Sequence, residues 1–362
     1  MNFRYHANLI VSHLDDAIEN FDYKSRQTHL ALKTALCCVL AIFICFWLRV
    51  PHAYWAGISA IIMMQPHVKA SLAKGWMRAG GAILGCAASL LVVLLFTQRP
   101  FFYSITIFLV ITLGTYLGNQ LKYGYFWAYF CGHIALISMI MVMDPYNSNP
   151  VHVAFYRAFA VTIGVVCSLI VNVVIWPEAP DKTKKQEEKK QTGVIERFRI
   201  AGRILSIDMT VLKFSLKTGL GILMAFWIWQ IFRIPGGGLN MSTAIITVLQ
   251  QDIINSQHKG LMRFVGCLFG ASLGLAVLMM SISSPLVLAL IIFVVVAPLA
   301  YIWGAKFGVA YIGAQAAIAF MLTVTFNNCS VQNIAPAIQR LTGITLGIVC
   351  IWLLNVVFPS KN

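Results

Sequence analysis

Apolar positions gather in long runs separated by short polar patches. The first six runs lie near 30–48, 53–66, 76–96, 101–118, 125–143 and 155–176. After a polar stretch, KTKKQEEKKQ at 182–191, six more follow near 211–232, 239–250, 261–280, 285–303, 308–326 and 336–358. Most approach the ~20 residues that a membrane-spanning helix needs. Within the first 29 residues, Phe3, Ala7, Ile10, Leu14, Ile18 and Phe21 recur at helical spacing among Asp15, Asp16 and Glu19. That pattern predicts an amphipathic helix, lying along a membrane surface or equally covering cytoplasmic loops, and no cleavable signal peptide. Pro177, Pro180 and the mixed charges after them predict a solvated linker, closed by a short amphipathic helix over about 194–208.

The two sets of runs match each other at an offset that stays within 182–185. Leu32-Lys33-Thr34 pairs with Leu216-Lys217-Thr218, Arg49-Val50-Pro51 with Arg233-Ile234-Pro235, and Lys74-Gly75-Trp76-Met77-Arg78 with Lys259-Gly260-Leu261-Met262-Arg263. Lys122-Tyr123-Gly124 pairs with Lys306-Phe307-Gly308, Arg157 with Arg340, and Asn172-Val173-Val174 with Asn355-Val356-Val357. The expected architecture is an all-α membrane protein of about twelve transmembrane helices, arranged as two parallel six-helix repeats about an axis along the membrane normal. Its expected parts are a cytoplasmic amphipathic segment (1–29), a first repeat (30–177), a basic linker with its amphipathic helix (178–208) and a second repeat (209–359).

Composition sharpens the picture. With 59% hydrophobic and 11% charged residues and a mean hydropathy of +0.79, lipid must be the solvent for most of the chain. The net charge of +15 sits in patches between runs, as the positive-inside bias produces, so it reads as topology rather than nucleic-acid binding. Six crossings per half, with the linker in the cytoplasm, put Lys69, Lys74, Arg78, Lys122, Lys259, Arg263 and Lys306 inside, with both termini cytoplasmic. The nine cysteines show no paired or ligand spacing and read as packing residues, so no metal site is expected. Phosphate-loop and zinc-peptidase motifs are missing, so neither an enzyme nor a cofactor is expected.

The second run of each half is too short to span. Residues 53–66 and 239–250 would give helices of about 18–21 Å at ~1.5 Å per residue, against a hydrocarbon core of ~30 Å. Each follows a breaker, Pro51-His52 or Pro235-Gly236-Gly237-Gly238, and ends in polar residues, Gln65-Pro66 or Gln250-Gln251-Asp252. Short segments at matching positions of two repeats point to a transport site; a tilted neighbour or a thinned bilayer is the plainer explanation. The candidates for substrate binding are Tyr54, Trp55, Gln65, Asn240 and Gln250. Tyr54 and Trp55 open the first short helix, where free amides and the helix dipole favour an anion, although an aromatic belt accounts for them too. Asn240, with Ser242 and Thr243, opens the second and could simply cap it. Halves that differ in this way suit an asymmetric ligand, such as an aromatic ring bearing a carboxylate.

Asp252, His133, Arg78 and Arg263 are candidates for ion coupling or anion binding. Against them stand a loop carboxylate paired with Lys259 or Arg263, and a neutral histidine bonded to a nearby carbonyl. Arg157 and Arg340 read equally as anion ligands or as side chains snorkelling outward. Gly81/Gly85 and Gly266/Gly270 predict close helix approach in the third run of each half.

The stretch Tyr54-Trp55…Gln65-Pro66…Lys74-Gly75-x-x-Arg78-x-x-Gly81-x-x-x-Gly85 resembles the core signature of the fusaric acid resistance family, which includes aromatic acid exporters. A worn copy runs from Gln250 through Lys259-Gly260-x-x-Arg263-x-x-Gly266-x-x-x-Gly270. The resemblance implies a bacterial inner-membrane protein that exports small aromatic or amphipathic organic anions, driven by the proton gradient and served by a periplasmic adaptor. Tyr54, Trp55, Gln65, Arg78 and Arg263 carry over as signature residues. Many members have a large cytoplasmic domain after each membrane half, whereas here only the linker and residues 359–362 follow. Adaptor docking and regulation are therefore in question. A passive anion channel and a non-transporting scaffold are the alternatives, and a homo-oligomer is a candidate assembly.

Overall fold

The computed structural model describes residues 12, 22–23, 25–96, 99–121, 123–143, 149–176, 208–234, 237–282, 284–304, 310–325 and 335–358. Most of the predicted N-terminal amphipathic helix, and the one at 194–208 apart from Asp208, lie outside these residues.

Twelve helices account for almost all of the described chain. The first six are α1 (Arg26–Trp47), α2 (Tyr54–Met63), α3 (Val68–Phe96), α4 (Pro100–Gln120), α5 (Gly124–Met143) and α6 (Pro150–Val174). The second six are α7 (Met209–Phe232), α8 (Gly237–Val248), α9 (Ile253–Met279), α10 (Pro285–Gly304), α11 (Ala310–Thr325) and α12 (Ala335–Val357). Among the described residues nine are long and apolar enough to cross a membrane, and α2, α8 and α11 are the shorter apolar helices. The two short segments expected from the sequence are thus α2 and α8. The shortness of α11 was not expected from the run at 308–326.

Local chemistry sets where the helices begin. Ser25, Asn149, Asp208 and Asp252 each accept from backbone amides in the first turn of α1, α6, α7 and α9. Pro100 and Pro150 occupy first helical positions, where their missing N–H costs nothing. Helices α3 and α9 begin earlier than the apolar runs at 76 and 261 suggest. Lys69, Lys74 and Lys259 therefore stand on helices rather than in loops.

The glycine pairs bring α3 onto α5 and α9 onto α11. A Cβ at Gly81 would lie 2.9 Å from the Phe126 carbonyl oxygen, and one at Gly85 2.5 Å from that of Phe130. Gly266 and Gly270 meet the carbonyls of Ile312 and Ala316 in the same way. These contacts place Phe126 opposite Ile312 in register, an offset of 186, beyond the 182–185 read from the loops. Tyr125 then corresponds to Tyr311, Tyr129 to Gln315 and His133 to Ala319.

Contacts between the two sets of six are reciprocal. Helix α4 packs on α7 and α10 on α1; α5 touches α8 and α11 touches α2. One apolar core joins α1, α2 and α6 to α10 and α11, around Ile61, Phe320 and Met321. The other joins α7, α8 and α12 to α4 and α5, around Tyr103, Phe226 and Met241. Large apolar side chains such as Leu94 and Met279 remain outward-facing, the surface expected of a multi-pass protein in lipid.

Candidate anion site at the short helices

Four arginines are buried within the helices: Arg78 is 3% exposed, Arg157 6%, Arg263 4% and Arg340 9%. No Asp or Glu occurs in residues 23–143, 145–177, 209–251 or 253–362, so none of the twelve helices carries a carboxylate. Burying a guanidinium without a counter-charge costs several kcal/mol. Of the two readings of Arg157 and Arg340, burial disfavours side chains snorkelling outward, and Arg78 and Arg263 are interior cations as well.

Two of the four are held by phenols and hydroxyls. Arg78 Nε donates to Ser59 Oγ at 3.3 Å and Nη1 to the Tyr125 hydroxyl at 3.0 Å, with a further bond to the Tyr129 hydroxyl. Its guanidinium also lies 4.3 Å from the centre of the Tyr129 ring. Arg263 Nη1 donates to Thr247 Oγ1 at 2.6 Å and to the Tyr311 hydroxyl at 3.2 Å. Both arginines tie a long helix to the short helix and to the fifth helix of their set.

Arg157 differs. Its guanidinium stacks over the Trp55 ring at 3.5 Å, yet Nε and Nη1 have no hydrogen-bond partner among the described residues. Stacking engages the face of the guanidinium and leaves its in-plane N–H edge free. In-plane N–H groups of this kind suit a carboxylate, whose oxygens accept charge-assisted bonds. Around it are rings: Tyr54 lies 4.9 Å from Trp55, and His52 lies 5.6 Å from Tyr54. His133, on α5, is buried 5.4 Å from the Tyr129 ring. Its Nδ1 is 2.8 Å from the Tyr129 carbonyl, which can only accept, so Nδ1 carries the proton and Nε2 presents an unpartnered lone pair.

The amides expected to bind an anion at the start of α2 are engaged. Trp55 N–H donates to the His52 carbonyl, and Ala56 and Gly57 N–H donate to that of Ala53. The unsatisfied donors come from Arg157 instead.

The remaining candidates fall elsewhere. Gln65 N–H donates to Ser71 Oγ at 3.1 Å, and its Nε2 donates to the Met64 carbonyl at 2.8 Å. Gln250 makes the matching pair with Ser256 Oγ and the Leu249 carbonyl. Both glutamines lock the chain reversal after a short helix. Asp252 is exposed, and its carboxylate accepts from the amides of Ile254 and Asn255 as the cap of α9. Asn240 Nδ2 donates to the Gln339 carbonyl at 3.2 Å, which ties α8 to α12.

Tyr125, Tyr129 and Ser59 were missed in the sequence. The spacing Tyr125-x-x-x-Tyr129-x-x-x-His133 was the available signal, since it places all three on one face of a helix. Lys33 and Lys217 marked the repeat but not their role: Lys33 Nζ donates to the Trp176 carbonyl at 2.6 Å, and Lys217 Nζ to that of Phe358 at 3.0 Å. Each closes the C-terminal end of the sixth helix of its set.

Comparison with known proteins points to a family. The fusaric acid resistance protein family matches residues 28–201, and a second description, fusaric acid resistance protein-like, matches residues 224–354. A UPF0421 protein of Oceanobacillus iheyensis is 30% identical over 158 residues, covering 44% of this chain and 42% of that one. The p-hydroxybenzoic acid efflux pump subunit AaeB of Enterobacter cloacae is 25% identical over 186 residues, 48% of this chain and 28% of that one. The UPF0421 protein YgaE of Bacillus subtilis is 28% identical over 145 residues, 40% of this chain and 38% of that one. The matches thus span less than half of each relative's length. No solved structure matches the chain.

Proposed function

Since this chain belongs to the fusaric acid resistance family of membrane efflux proteins, we propose that it exports small aromatic or amphipathic carboxylates, with the carboxylate seated on the free edge of Arg157. The observation that carries this reading is the buried guanidinium with unpartnered Nε and Nη1, stacked on Trp55, in helices without a carboxylate. Relatives named as p-hydroxybenzoic acid efflux pump subunits favour the same ligand class. Tyr54, Trp55 and His133 supply the ring-binding surroundings, and Arg78 holds α2, α3 and α5 in place around them. The wider arrangement in this reading is two parallel six-helix repeats, with both termini and the linker in the bacterial cytoplasm. The reciprocal packing of α4 on α7 and α10 on α1 supports it. A periplasmic adaptor and a second copy of the chain remain the expected partners.

The test is efflux of p-hydroxybenzoate from cells or proteoliposomes. Arg157→Gln removes a charge-assisted bond of about 2 kcal/mol, hence about thirtyfold in affinity, while insertion and helix content stay intact. Trp55→Ala should weaken binding as well, by loss of a desolvated cation–π contact of about 2 kcal/mol. Unchanged transport in both variants would remove the assignment.

Proton coupling in this reading falls to His133, which is buried and has a free Nε2 lone pair. One observation favours a second reading, a passive anion pathway. Fixed arginines do not exchange protons, and an inside-negative potential alone drives an anion outward with about 2.3 kcal/mol per 100 mV. Flux measured with the potential clamped and a pH difference imposed separates the two. Accumulation that follows the pH difference and disappears in His133→Gln supports coupling; accumulation that follows only the potential supports the passive path.

A further inference from the structure

The second set of helices carries a buried arginine at the place that Arg157 occupies in the first, but in different company. Arg340 has an Nε without an acceptor among the described residues, and so does the neighbouring Arg263. Arg263 and Tyr311 lie within electrostatic reach of Arg340, and Cys267 is its hydrogen-bonding neighbour. Among the described residues no ring stacks on Arg340. Asn240 stands where Trp55 stands in the first set, Leu239 where Tyr54 stands, Gln315 where Tyr129 stands and Ala319 where His133 stands. The local groups are therefore a carboxamide, a thiol, the Tyr311 phenol and two guanidiniums, which are donors of the kind that surround a simple anion.

We propose that Arg340 and Arg263, with Asn240 beside them, hold a small inorganic anion of chloride size as a counter-ion, at a site separate from the Arg157 site. Two buried cations of like sign repel, and no helix supplies a carboxylate to offset them. One monovalent anion between them neutralises half of that charge and satisfies the N–H groups that the protein leaves open. The site does not depend on the aromatic acid reading, because its residues lie on α8, α9 and α12 whereas Arg157, Trp55 and His133 lie on α6, α2 and α5.

The test uses the full chain in lipid nanodiscs. Its thermal unfolding midpoint is measured in sodium chloride and in sodium gluconate at equal ionic strength, alongside p-hydroxybenzoate binding. In the wild type, chloride should raise the midpoint by several degrees, saturating in the millimolar range. Arg340→Gln should abolish that rise while p-hydroxybenzoate affinity stays within about threefold; Arg157→Gln should do the reverse. Should Arg340→Gln fail to fold, Cys267→Asp, at the hydrogen-bonding neighbour of Arg340, still decides the matter. Its built-in carboxylate should raise the midpoint in gluconate to the chloride value and remove the chloride dependence. A wild type indifferent to chloride, a Cys267→Asp variant with undiminished chloride dependence, or a chloride response lost with Arg157→Gln and kept with Arg340→Gln would each overturn the proposal. Loss of p-hydroxybenzoate binding in every protein, with the chloride pattern intact, would count against the Arg157 reading alone.

Discussion

Arg157 and Asp252 show how far a residue's surroundings decide what it does. Both were candidates because a charge near an apolar run is costly. Arg157 proves to be interior, with open donors and an aromatic face beneath it. Asp252 proves to be an exposed cap whose oxygens are spent on two amides. The distinction predicts opposite tolerance. Asp252→Asn should leave efflux unchanged, because Asn caps as well as Asp, while Asp252→Ala should lower stability by about 1 kcal/mol without altering transport selectivity. Thermal unfolding and a transport assay on the same preparations would check this. Arg157→Lys should behave almost as badly as Arg157→Gln, since an ammonium neither stacks flat on Trp55 nor offers a bidentate edge.

At the scale of the element, the apolar runs located every helix, and the breakers at Pro51 and Pro235 located the two short ones, because backbone rules act over a few residues. Helix starts were harder to see. Lys69 and Lys74 look like a loop when read for hydropathy, yet they stand in the first turns of α3, where Lys74 reaches the Ile62 carbonyl, and Arg78 further on reaches Ser59. Those partners lie on another helix, so no local pattern announces them. The glycine pairs, by contrast, were legible as close-approach signals and did bring α3 onto α5. Gly85→Ala should therefore force α3 away from the Phe130 carbonyl and shift the His133 backbone with it. A destabilisation of about 1–3 kcal/mol is expected, read as a lower unfolding midpoint with weakened p-hydroxybenzoate binding; Gly80→Ala, facing only the Phe126 ring edge at 3.5 Å, should be nearly silent and serves as the control.

For the whole molecule, the sequence foretold an all-helical chain of about twelve helices but not how they interlock. A hydropathy pattern says which faces are apolar, and it cannot say which apolar face meets which. The helices resolve this by exchange: α10 and α11 complete the core begun by α1, α2 and α6, and α4 and α5 complete the core of α7, α8 and α12. Exchange of this kind has a consequence for the order in which the chain leaves the ribosome. When α6 has been made, α1 still lacks α10, the helix against which it finally rests, and more than a hundred residues must follow before that helix is made. Helix α1 thus enters the membrane well before its packing can be finished, and its inward face must wait in lipid, or against the insertion machinery, until the tardy partner arrives.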